Sequence, residues 1–271
     1  MRFLVTNDDG IHAKGVSVLV EVLKLFGDVY VVCPDQERSA ASHSITLRHP
    51  IKAEKVHWFG TGVQAWSVNG TTADCVKLAL DALLDDKPDY VISGINIGPN
   101  LGRDWYYSGT ISGAVEGALY NIPSLAVSLA HFSESAINFN SVKELFYQLC
   151  EQIFQKKFPN HTLLNVNIPH LPLRFCQGVA VVPFNKNISR YQYVGLNDPQ
   201  GQVHYWLKDK LQQVIHEDTE QDYGKLRSGC ITVTPVNVHQ QQQKLLAKVE
   251  RWFTSFNKQF NEGEEKVWAK N

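Results

Sequence analysis

At 271 residues, with 44% hydrophobic and 20% charged side chains, the chain can bury the core of one large domain, and its composition argues against disorder. A net charge of −1 without a long basic run excludes the electrostatic footprint of a nucleic-acid binder and leaves small ligands as the expected partners. The five cysteines (Cys33, Cys75, Cys150, Cys176, Cys230) are widely spaced and odd in number, which points to a reducing compartment. With no basic-then-apolar leader and no apolar run near the ~20 residues of a span, the expectation is a cytoplasmic protein that does not enter a membrane.

The apolar run Phe3-Leu4-Val5 reads as a first strand ending in Thr6-Asn7-Asp8-Asp9-Gly10. Adjacent carboxylates repel and raise each other's pKa unless something compensates them, and a bound cation is the simplest compensation. In a straight strand the two side chains would point to opposite faces, so one ion can use both only where the chain turns, which Gly10 permits. The same residues also suit a polar strand-to-helix turn in which Asp8 or Asp9 caps the helix. Val16, Leu19, Val20 and Leu23 then share a helical face. Val29-Tyr30-Val31-Val32-Cys33, stopped by Pro34, has the unbroken apolar character of a parallel strand buried on both faces. Together these pieces make a βαβ unit. The hydroxyl-rich loop 35–44, with Arg38 and Ser39, is either solvated surface or part of the edge where open α/β sheets bind ligands. Ile45-Thr46-Leu47 after it looks strand-like.

Residues 48–70 predict a hairpin excursion that returns as Trp66-Ser67-Val68. Beyond Asn69-Gly70, Thr72 is expected to cap a helix with Asp74 in its first turn and Val76, Ala79, Leu80 and Leu83 on its buried face. Residues 88–94 predict another parallel strand, running into Ser93-Gly94-Ile95-Asn96-Ile97-Gly98-Pro99-Asn100-Leu101-Gly102. Glycines and asparagines at this density let backbone approach a ligand and turn its amides inward, though the spacing is not the dinucleotide fingerprint. Past Trp105-Tyr106-Tyr107, Ser108-Gly109-Thr110 begins a helix reaching Tyr120. A helix start flanked by hydroxyls suits an anion such as phosphate. Equally, Ser108, Thr110 or Ser112 can serve only as a cap, with Gly113 and Gly117 permitting close packing.

Residues 124–129 predict the next strand, 141–156 a helix, and 163–168 and 179–182 two further strands. From 184 to 228 the chain turns polar and aromatic, with Arg190-Tyr191-Gln192-Tyr193 and His204-Tyr205-Trp206-Leu207, which predicts a projecting hairpin whose exposed aromatics want a partner surface. Residues 231–235 return to the core. Leu245, Val249, Trp252 and Phe256 form the stripe of a last helix, and the tail after Asn257 is charged. The fold expected is α/β: a Rossmann-like, doubly wound, mainly parallel sheet with a projecting C-terminal β-hairpin arm and a C-terminal helix. Residues 1–183 would form the catalytic core and 184–271 the oligomerisation part.

Residues 5–11, the loop Ser93-Gly94-Ile95-Asn96 with Gly98, Asn100 and Gly102, and Tyr107-Ser108-Gly109-Thr110 through Glu116-Gly117 together resemble the SurE survival-protein family, whose members are metal-dependent 5'/3'-nucleotidases. The similarity extends through Arg38-Ser39, Gly70-Thr71 with Ala73-Asp74-Cys75, and Val233-Thr234-Pro235. It implies one divalent cation per subunit, held by Asp8, Asp9, Ser39 and Asn96, with Asp8, Asp9 and Asn96 carrying catalysis on a nucleoside monophosphate. It also implies a homodimer or homotetramer assembled through extended C-terminal segments. Lys14 and Thr72 stand where the family usually has proline, Ala40 where it usually has glycine, and His239 about where it usually has aspartate. These departures bear on loop geometry and the C-terminal hinge more than on the metal ligands.

An oxygen-only ligand set with two carboxylates selects Mg2+ or Mn2+ over zinc. Such an ion would neutralise phosphoryl oxygens and acidify the attacking water, which Asp8 or Asp9 would orient, while Ser39, Ser108, Gly109 and Thr110 bind the phosphate. A covalent aspartyl-phosphate through Asp8 is a second route, one the resemblance does not support. The rival functions are a nucleotide-dependent oxidoreductase, against which Asn7-Asp8-Asp9 in place of a glycine fingerprint speaks, and a non-catalytic nucleotide-binding module.

Overall fold

The computed structural model of the chain describes residues 1–131, 137–210, 220–239 and 243–254. Strand β1 (Arg2–Thr6) is buried on both faces: Phe3 and Val5 enter one helical layer and Leu4 the other, so its sequence shows no polar alternation. Helix α1 (Lys14–Leu23) buries the predicted face and crosses to β2 (Asp28–Pro34), the parallel neighbour of β1. The excursion that follows forms β3 (Ala53–Val56) and β4 (Val63–Val68), which pair antiparallel, and β4 also joins β2 in parallel.

Two local expectations are corrected here. Ile45-Thr46-Leu47 is not a strand, because the Thr46 backbone N and Oγ1 both donate to the Asp74 carboxylate, at 2.9 and 2.7 Å. The cap of α2 (Thr72–Leu78) is Thr71 rather than Thr72: Thr71 Oγ1 accepts from Asp74 N, and Asp74 Oδ2 accepts in return from Thr71 N at 2.9 Å. A reciprocal capping box satisfies two orphan amides at once, whereas Thr72 on the next position could satisfy none of them from inside the helix.

The chain continues through β5 (Tyr90–Ile97), a 3-10 turn (Gly102–Tyr107), α3 (Gly109–Leu119), β6 (Ser124–Ala130), α4 (Phe139–Ile153), β7 (Thr162–Pro169) and the short β8 (Val179–Val181). Then come the hairpin strands β9 (Tyr191–Asn197) and β10 (Val203–Asp209), α5 (Asp222–Arg227), β11 (Ile231–Asn237) and α6 (Gln243–Trp252). The main sheet has the order β3-β4-β2-β1-β5-β6-β7-β11-β8, parallel from β4 to β7, and β9 and β10 form a separate antiparallel pair. α1 and α4 cover one face and α2 and α3 the other. This is the Rossmann-like α/β fold with a C-terminal hairpin.

The chain forms two compact units, Met1–Val238 and His239–Asn271. In the second, Val249 is half-buried and Trp252 is exposed; the side chain of Leu245, Phe256 and the tail after Asn257 lie outside the described residues. No helix among the described residues is long and apolar enough to cross a membrane. All five cysteines are free thiols, and Cys33, Cys75 and Cys150 are buried.

Candidate active site

The winding direction reverses at β1, with β2 and β4 on one side and β5, β6 and β7 on the other. Loops diverge at such a switch point, and a crevice opens at the carboxyl ends of the strands. Asp8 and Asp9 leave β1 there, in a turn closed by Asn7 Nδ2 donating to Gly10 O at 2.9 Å, with Gly10 at φ 93°. Asp8 is only 4% exposed. Its Oδ1 accepts the Thr110 hydroxyl at 2.6 Å. Gly109 lies so close that a Cβ there would sit 2.6 Å from Asp8 Cβ, so glycine is what lets the start of α3 touch the carboxylate. Burial pushes the Asp8 carboxyl above its ordinary range, the Thr110 hydroxyl and the Thr110 and Asp8 amides pull it back, and the Glu37 charge adds to the rise.

The loop after β2 carries Ser39, whose Oγ donates to Glu37 Oε1 at 2.6 Å. The loop is pinned to α3 by His43 Nε2 against Glu116 Oε2 (2.8 Å) and to the 3-10 turn before that helix by Ser42 Oγ donating to Tyr106 O (2.7 Å). Its path puts two non-glycine residues, Ala40 (φ 55°) and Ser42 (φ 53°), in the left-handed region.

On the other side of β1, Asn96 donates Nδ2 to Gly98 O at 2.6 Å, which leaves Oδ1 as its outward acceptor. Asn100 is gripped by buried polar side chains of the sheet. Its N donates to Asn167 Oδ1 (2.8 Å), its Nδ2 donates to Ser128 Oγ (2.8 Å), and its carbonyl accepts from Asn165 Nδ2 (2.9 Å) and Asn167 Nδ2 (3.2 Å). At the loop's end Gly102 N donates to the fully buried Asp222 at 2.7 Å. A glycine-rich loop would otherwise be soft; here its backbone is held at both Asn100 and Gly102.

One cleft of about 720 Å3 gathers Asp8, Asp9, Ser39, Asn96 and Ser108, which come from four separate stretches of sequence. Ser108 is also the cap of α3, its Oγ accepting from Ile111 N at 3.2 Å. Gly109 and Thr110 do not line the cleft; both are buried behind Asp8, with the Thr110 hydroxyl spent on it. Sequence reasoning missed Glu37, which looks like any loop carboxylate until the fold sets it beside Asp8. It also missed Arg190, which its position among the hairpin aromatics disguised but which the fold brings into the cleft. Among the described residues no group of three or more His, Cys, Asp or Glu could hold a metal ion. A cation here would therefore draw on hydroxyl and amide oxygens beside the two carboxylates. That donor set fits a hard divalent ion, and the buried Asp8 beside the Glu37 charge is the kind of site that such an ion neutralises.

Fold and site define a Rossmann-like α/β protein whose cleft opens at the switch point of its sheet, walled on one side by paired carboxylates. A family model described as Survival protein SurE matches residues 3–191, and the chain belongs to the SurE family. The 5'-nucleotidase SurE of Moorella thermoacetica is 43% identical over 251 residues, covering 91% of this chain and 95% of that protein. The 5'-nucleotidase SurE of Heliobacterium modesticaldum is 40% identical over 255 residues, covering 93% and 92%. Among solved structures, the SurE protein from Aquifex aeolicus superimposes with a TM-score of 0.81 at 35% identity, covering 93% of this chain and 99% of that one.

Proposed function

We propose that the cleft hydrolyses nucleoside 5'-monophosphates to nucleoside and inorganic phosphate, as a phosphomonoesterase that requires a divalent cation, Mg2+ or Mn2+. The observation that carries this reading is the convergence of Asp8, Asp9, Ser39, Asn96 and Ser108 on one cleft at the switch point, in a chain whose relatives bear the name 5'-nucleotidase. Asp8, Asp9, Ser39 and Asn96 are the residues that would hold the cation. Bound there, it supplies charge neutralisation for the phosphoryl oxygens and a lowered pKa for water.

The chain's own groups do the rest. Thr110 locks one Asp8 oxygen and so aims the other; it acts through Asp8 and not on the phosphate directly. Asn96, with its amide nitrogen tied to Gly98 O, presents an oxygen of fixed direction. Asp9, more exposed than Asp8, orients the attacking water. The Ser108 hydroxyl lines the cleft at the positive end of α3, where the helix dipole favours the phosphate's negative charge, while Gly109 lets that helix end sit against Asp8. Ser39 completes the phosphate's surroundings from the opposite loop.

The test is phosphate release from a nucleoside 5'-monophosphate. Activity is expected to vanish with chelator, to return with Mn2+ or Mg2+, and to be largely absent in Asp9→Asn while circular dichroism stays unchanged. Full activity in excess chelator would refute the metal-dependent mechanism.

A further inference from the structure

The β9–β10 hairpin has two unlike faces. Its register pairs Tyr191 with Asp209, Tyr193 with Leu207 and Gly195 with Tyr205, so these residues share one face while Leu196 and Trp206 lie on the other. Of the strand residues in this arm, those that line the cleft with Asp8, Asp9 and Asn96 are Tyr191, Tyr193 and Leu207, all from the first face. Tyr191 is committed: the Arg190 guanidinium lies 4.7 Å from its ring centroid and donates to its hydroxyl at 2.5 Å. Arg190 also donates to Pro99 O (3.2 Å), and its backbone N and the Ser189 hydroxyl reach Asp104 at 2.6 and 2.5 Å. These bonds fasten the base of the arm to the loop that continues from Asn96. Tyr193, 67% exposed and facing Leu207 across the hairpin, has no ring partner among the described residues.

We propose that the Tyr193–Leu207 face of the arm is the nucleobase subsite, with the Tyr193 ring stacking on the base of a nucleotide whose phosphate lies at the carboxylates. The inference rests on the nucleotidase reading of the same cleft. A volume of about 720 Å3 is that of a site for a whole nucleotide-sized ligand, far more than a phosphoryl group needs. A rigid tyrosine beside a leucine offers a flat apolar surface without a donor–acceptor code, so it grips any base by its π-face and discriminates weakly between bases. Fixing that surface to the Asn96 loop through Arg190 and Asp104 lets base binding position the phosphate.

The experiment compares kcat/KM for adenosine 5'-monophosphate and for ribose 5-phosphate, which keeps the sugar and phosphate and lacks the base, with Mn2+ present. In Tyr193→Ala the preference for the nucleotide is expected to fall about tenfold, mainly through KM, and Tyr193→Phe is expected to restore it. Equal losses on both substrates, or no loss on either, overturn the subsite. A fall in mass by light scattering together with equal losses assigns the ring to a subunit contact and overturns it too. Failure of the unmodified protein to release phosphate from either substrate overturns instead the nucleotidase reading itself.

Discussion

Gly109 is the residue on which the site's geometry turns, because replacing it sets two known effects against each other. Alanine is a better helix former than glycine by about 1 kcal/mol, so on propensity alone Gly109→Ala would strengthen α3. Its Cβ, however, would meet Asp8 Cβ at 2.6 Å and Oδ2 at 2.8 Å, and a displaced carboxylate or helix start misplaces the reacting groups. Misplacements near 1 Å can cost on the order of a hundredfold in rate, so kcat is expected to fall by about that much with little loss of melting temperature. Normal turnover in Gly109→Ala would show that α3 does not bear on Asp8. Ala40 offers the opposite case. With φ at 55° it holds a conformation that costs an L-residue roughly 1 kcal/mol, and the SurE resemblance puts glycine there. Ala40→Gly is expected to raise the melting temperature by about 2 °C, and a fall on calorimetry would contradict the strain. The Asp8-Asp9 pair was legible in the sequence because like charges side by side demand an explanation. The Thr110 partnership was not, since it joins residues 102 positions apart and a threonine at a helix start looks like any cap.

At the scale of elements, the loop that carries Asn96 is shaped by strands it does not belong to. Ser128 on β6 and Asn165 and Asn167 on β7 are fully buried polar side chains, and with Thr232 and Thr234 on β11 they form a seam across one face of the sheet. Burying such groups is costly unless they are bonded, and Ser128, Asn165 and Asn167 all bond Asn100. Asn167→Ala removes both a donor and an acceptor to Asn100 and leaves its amide without that partner, a loss of roughly 1–3 kcal/mol. Hydrogen exchange in residues 96–102 is expected to quicken, and kcat to fall along with it. Unchanged exchange at Asn100 would mean that the seam serves the sheet alone. Periodicity read these strands correctly from their apolar residues, yet it had no means of saying that the asparagines between them faced inward toward a loop. The same limit explains Ile45-Thr46-Leu47: its β-branched residues favour a strand, but the Asp74 carboxylate outbids the sheet for the Thr46 donors.

At the scale of the whole molecule, the arm's second face is left to explain. Leu196 is 54% and Trp206 66% exposed on the side of the hairpin turned away from the Tyr193 face, and a monomer gains nothing from presenting them to water. We propose that residues 1–183 supply the catalytic core and that residues 184–271, apart from the arm face that lines the cleft, serve assembly, with the Leu196–Trp206 face packing on a second copy of the chain to give at least a dimer. Aromatic residues buried at the centre of an interface typically carry its binding energy, and charges placed among them cannot be desolvated cheaply. The double substitution Leu196→Lys with Trp206→Glu is therefore expected to reduce the mass seen by light scattering to that of one chain. Because the two faces are separate, Tyr193→Ala is expected to keep the oligomer. Loss of the oligomer in Tyr193→Ala, with the double variant still assembled, would reverse the assignment of the faces, placing the subunit contact where the nucleobase subsite is proposed.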